Sequence, residues 1–113
     1  MITGAHVIVH SPQAEELRAF LRDVVGYAGV DAGEGWLLFA LPPAELAVHP
    51  SGGTTHELYL VCDDIDVTRE ELAAKGAEFT GETTVQPWGF LAALKLPGGG
   101  TLGLYEPMHP TAI

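Results

Sequence analysis

The chain has 113 residues, the length of one domain, and its 47% hydrophobic against 18% charged residues exclude a disordered polymer. Fifteen acidic against five basic residues give a net charge of −10, which argues against nucleic acid and against docking on an anionic membrane. The single cysteine, Cys62, excludes an intrachain disulfide and a cysteine-rich metal knuckle.

The elements follow in chain order. Residues 5–10 (AHVIVH) alternate as a strand, with Val7 and Val9 on one face and His6, Ile8 and His10 on the other. Ser11-Pro12 opens a helix as cap and first position, Leu17, Phe20, Leu21 and Val24 form its apolar stripe, and Gly26 ends it. A weak strand is expected at 28–32, a strongly apolar one at 36–40, and an alternating one at 45–49, where Glu45, Ala47 and His49 share a face. Residues 50–55 (PSGGTT) read as a linker.

The order then restarts. Residues 57–62 read as a strand, and Asp63-Asp64-Ile65-Asp66 caps a helix that runs to about Lys75 and stops at Gly76. Strands follow at 77–80, 89–96 and 101–105, the last two joined by a turn at 97–100. No apolar run approaches the ~20 residues that span a bilayer. The first residues lack the basic region of a signal peptide, so the expectation is a cytoplasmic protein. The chain thus reads as a single domain over 1–113 with two similar halves, one about 1–50 and one about 55–108.

In this arrangement the sequence resembles the vicinal oxygen chelate superfamily, which includes glyoxalase I, extradiol dioxygenases and bleomycin-resistance proteins. The likeness is carried by His6-Val7-Ile8-Val9 with Ala19-Phe20-Leu21 and Gly26-Tyr27, and by ELYLVCDDID from Glu57 to Asp66 with Glu71 to Gly76. Pro87-Trp88-Gly89 and Gly99 to Pro107 complete it. The resemblance implies an α+β fold in which two βαβββ modules form a curved eight-stranded mixed sheet around a cleft. It also implies a place for metal ligands, on the first and last strands of each module. Carried over by position, these are His6, Glu45, and either Glu57 or His56. Side-chain parity favours Glu57, because Leu58 and Leu60 then face the helices, while a bulge would admit His56. At the fourth position the sequence departs from the family: Gly103 stands where a glutamate is usual, and Glu106 matches the non-ligating Glu-Pro at the end of the last strand. His10, His49, Tyr59 and Tyr105 are further candidates for the cleft, whereas His109 sits in a Pro-flanked tail and reads as solvated.

One histidine and two carboxylates with open positions suit Ni²⁺, Zn²⁺, Mn²⁺, Fe²⁺ or Co²⁺. Such a centre would act as a Lewis acid on a substrate with adjacent oxygens, and Glu57 or Glu45 would move a proton. The first functional reading is therefore a small metal-dependent lyase, isomerase or oxygenase. The second is a metal-free protein that sequesters a small molecule of antibiotic type, as bleomycin-resistance proteins do; Gly103 and the acidic balance motivate it. A third is a decayed module kept for assembly. The resemblance also implies a symmetric homodimer.

Overall fold

The computed structural model describes residues 6–113. Helix α1, Ala14–Phe20, continues through a π-helical turn at Leu21–Val25 and stops at Gly26, whose φ of 87° places it in the left-handed region. Two short strands, β1 (Gly29–Asp31) and β2 (Leu37–Phe39), pair antiparallel as a sheet of their own. The second half holds β3 (Tyr59–Val61), helix α2 (Ile65–Ala74), β4 (Thr84–Gln86), β5 (Gly89–Lys95) and β6 (Thr101–Pro107). These strands form one sheet in the order β3-β6-β5-β4, parallel between β3 and β6 and antiparallel elsewhere.

Helix α2 forms where the acidic turn predicts it. The Asp64 side chain accepts from the Val67 N–H at 3.0 Å, and the Thr68 hydroxyl donates to the Asp64 carbonyl at 2.7 Å. Ile65 is buried and Leu72 packs on the core, so the helix lies against the sheet on an apolar stripe. That face of the sheet supplies Ala92, Leu94, Leu102 and Leu104. Phe20 and Val24 of the first half reach the same core, as their helical spacing predicts. Leu58 and Leu60 also pack there, in agreement with the parity argued for β3.

Three expectations are corrected. Residues 6–10 and 45–49 alternate as strands do but are paired into no sheet. A strand needs a neighbour to take its backbone groups, and these segments have none among the described residues. Their apolar side chains lie open: Ile8 is 67% exposed and Leu46 92%. Six strands therefore stand among the described residues, against the eight expected.

Residues 77–80 make only an isolated bridge, Phe79 to Leu94, and the strand before β5 is instead β4. Pro87 and Trp88 alone join β4 to β5, a two-residue turn with no glycine or asparagine to announce it. The helix cap also differs. Gln13 caps α1 without a side-chain bond, and the Ser11 hydroxyl accepts from the Gln13 N–H at 3.1 Å, closing a turn before the helix. Ala5, the first residue of the expected opening strand, lies outside the described residues.

Candidate functional site

The sheet has one face against the helices and one away from them. Strand alternation assigns Tyr59, Val61, Gly103 and Tyr105 to the second face, opposite the buried Leu60, Leu102 and Leu104. Tyr59 sits directly across from Gly103 in the β3–β6 register. Its ring lies over the glycine so closely that a Cβ at position 103 would meet the ring, its Cγ included at 3.1 Å.

Tyr105 repeats the arrangement one strand over. A Cβ at Gly89 would meet Tyr105 Cδ2 at 3.1 Å and the Glu106 carbonyl oxygen at 2.5 Å. The two tyrosine rings meet edge to face with centroids 6.3 Å apart, and Trp88 meets Tyr105 the same way at 5.4 Å.

The Tyr105 hydroxyl is the polar end of this cluster. It lies within hydrogen-bonding reach of the Trp88 carbonyl, at 3.1 Å, and of His109 Nε2. His109 Nδ1 in turn donates to the Pro110 carbonyl at 2.7 Å. Burial, then the Glu45 carboxylate, pushes the Tyr105 hydroxyl above the usual phenol range. His109 thus joins the aromatic cluster while staying exposed, as its Pro-flanked tail predicts. A Tyr four residues before a His was the available signal, and it is a weak one.

A groove of about 1210 Å³ runs along the sheet and is lined by residues of both its faces. His6, Ile8, Trp36 and Leu38 line it from the first half, and Glu57, Tyr59, Leu91 and Gly103 from the second. Aliphatic and aromatic groups dominate, and the charges are few: Glu57 and Glu82 against Arg18, whose guanidinium lies 5.1 Å from the Trp36 ring centre. Such a concave, mostly apolar wall with a few polar groups is the usual form of a small-molecule site.

The expected site residues divide. His6, His56 and Glu57 all line the groove, so the two alternatives for the second module share one wall. Glu45 does not line it; one of its carboxylate oxygens accepts from the Ala112 N–H at 2.7 Å. His10 and His49 are exposed and lie outside the groove lining. Tyr59 lines it, and Tyr105 flanks Tyr59 on the same face.

Among the described residues no three His, Cys, Asp or Glu side chains stand close enough to hold a metal ion. The place where the resemblance expects a fourth ligand is Gly103, beneath the Tyr59 ring. As placed, these residues do not fit a resident metal. Glu106, beside that position in sequence, bonds instead to the Ile65 N–H at 2.8 Å. No helix of the described residues is long and apolar enough to cross a membrane.

Comparison with known proteins gives a consistent result. A family model described as the Glyoxalase/Bleomycin resistance protein/Dioxygenase superfamily matches residues 3–104. No curated protein matches. Among solved structures, the chain is similar to TnmS3, an antibiotic binding protein from Streptomyces sp. CB03234. The identity is 26%, with 95% of this chain and 99% of that one covered at a TM-score of 0.66. A glyoxalase/bleomycin resistance protein from the same Streptomyces is also 26% identical, covering 86% and 94% at a TM-score of 0.60. A lactoylglutathione lyase from Agrobacterium tumefaciens shares the fold at 17% identity, covering 87% and 88% at a TM-score of 0.61.

Proposed function

The chain belongs to the glyoxalase/bleomycin resistance/dioxygenase superfamily, and from that premise we propose that it binds an antibiotic-type small molecule without transforming it. The observation that carries this reading is the groove itself, whose lining is mainly apolar and aromatic and whose expected fourth-ligand position is a glycine under a tyrosine ring. The likeness to an antibiotic binding protein over nearly the whole of both chains supports it. Binding in such a site draws on burial of the ligand's apolar surface, and the few polar groups orient it.

The test is titration with a panel of natural-product antibiotics, read by tryptophan fluorescence, since Trp36 lines the groove. Saturable quenching, with the ligand recovered unchanged by mass spectrometry, is the expected result. Absence of binding across the panel would overturn the reading. So would turnover of a 2-oxoaldehyde or a catechol by protein supplied with Ni²⁺, Mn²⁺ or Fe²⁺, which would restore the metal-dependent lyase or oxygenase.

The working form of the protein in this reading is a homodimer. The chain exposes 8368 Å², where a compact monomer of its mass exposes about 6000 Å². The excess, about 2400 Å² per chain or about 4800 Å² for a pair, falls within what obligate homodimers bury in total. Its apolar part includes residues 7–9, Leu46 and Val48, whose backbones have no sheet partner among the described residues. A second copy supplies both a cover for these side chains and strand edges for their backbones.

A further inference from the structure

Two glycines on neighbouring strands each carry a tyrosine ring: Tyr59 over Gly103 and Tyr105 over Gly89. Glycine inside a strand weakens it, and a strand glycine often marks a place where another group comes close to the backbone. Here that group is an aromatic ring in both cases. With side chains at 103 and 89 neither ring could lie where it does. The rings are fixed further by their edge-to-face contact and by the Tyr105 hydroxyl bonds to the Trp88 carbonyl and His109. Tyr59 nevertheless remains 40% exposed and lines the groove. A ring held against backbone on one side and open on the other offers its free surface to a ligand.

Resting on the binding function argued above, we infer that the ring of Tyr59, seated on Gly103 and braced edge to face by Tyr105, is a platform that takes a planar aromatic ring system of the ligand. Gly103 determines this specificity. By lacking a side chain, it turns a position for a coordinating carboxylate into a surface for stacking. The contact is ring on ring, in offset or edge geometry, and favours flat ligands over aliphatic ones of equal size. Glu57 and Glu82 outnumber Arg18 in the lining, so a cationic aromatic suits the site.

The probes are proflavine, a planar aromatic cation, and amantadine, a compact aliphatic one. Binding is followed by the absorbance shift of proflavine and by calorimetry for amantadine. We expect saturable proflavine binding, about tenfold weaker in Tyr59→Leu and in Gly103→Ala and near wild type in Tyr59→Phe, which keeps the ring. Amantadine binds more weakly and is insensitive to these variants. The ring protons of Tyr59 shift upfield on adding proflavine to the unaltered protein, a readout that holds even where a variant fails to fold.

Proflavine binding with equal affinity in Tyr59→Leu, or without a shift of the Tyr59 ring protons, overturns the platform and leaves the binding function standing. Preference for amantadine does the same. Failure of proflavine to bind also overturns the platform, and the antibiotic panel then decides separately whether the groove binds anything.

Discussion

The Glu106 carboxylate accepts a hydrogen bond from the Ile65 N–H at 2.8 Å, joining the end of β6 to the start of α2 across 41 positions. Asp64 takes the Val67 N–H of the same turn at 3.0 Å. The first turn of α2 therefore has two carboxylate caps, one local and one distant, where the helix dipole favours negative charge. Glu106→Ala is expected to cost about 1–2 kcal/mol of stability, measured by urea denaturation. Glu106→Gln keeps an acceptor oxygen and loses less. Ligand affinity in Glu106→Gln should stay at the wild-type value, because Glu106 is outside the groove lining.

Alkaline pH should weaken the fold. Burial, before the carboxylates of Glu106, Asp63 and Asp64, pushes the Cys62 thiol up, with the nearby Thr68 hydroxyl opposing it. Burial alone raises the Tyr27 hydroxyl. Both folded values lie above the unfolded ones, about 8.5 for a thiol and about 10 for a phenol. The stability tied to these groups is therefore complete below the unfolded values and is lost as pH rises through the folded ones. Melting temperatures recorded upward from pH ~8 should fall, and Cys62→Ala should remove part of that fall. Iodoacetamide at pH ~8 should label native Cys62 more slowly than the unfolded chain.

Metal removal should change little. Dialysis against a chelator is expected to leave the melting temperature and antibiotic binding where they were. Metal content by mass spectrometry should be the same in the wild type and in a His6→Ala, Glu45→Ala double variant. About one transition metal per chain, lost in the double variant, would contradict the binding function and place a metal centre at His6, Glu45 and Glu57.

Leu46 and Val48 are 92% and 88% exposed in the single chain. Were the protein a monomer, Leu46→Asp would change stability by no more than about 0.5 kcal/mol. In a homodimer that covers this segment, the same change buries a carboxylate and should break the assembly. Sedimentation at micromolar concentration should give twice the 12.0 kDa chain mass for the wild type and the single mass for Leu46→Asp.

The second half of the fold was legible because its signals are local and agree. Asp64 caps, Gly76 stops, and the alternation of Leu58 and Leu60 points to the core they occupy. The first half was legible only as pattern. Residues 6–10 and 45–49 alternate correctly, yet pairing is decided by whatever stands alongside, which alternation does not encode. β4 was hidden because Pro87 reads as a strand breaker, although it serves as one of two residues in a hairpin turn. At the site, the absence of a carboxylate at Gly103 could be read directly. That Tyr59 occupies its place follows from the parallel register of β3 on β6, a contact between residues 44 positions apart that no local spacing announces.

That register also fixes when the sheet can form. β6 lies between β3 and β5, so the most recently synthesised of these strands is an interior member of the sheet. Until it emerges from the ribosome, β3 has no partner, β4 and β5 stand as a bare hairpin, and α2 lacks its distant cap. The growing chain must therefore carry exposed apolar strands until about residue 107, and closure of this half is a late event dominated by contacts distant in sequence. Chaperone engagement with ribosome-bound chains should persist to that length and end once β6 is free.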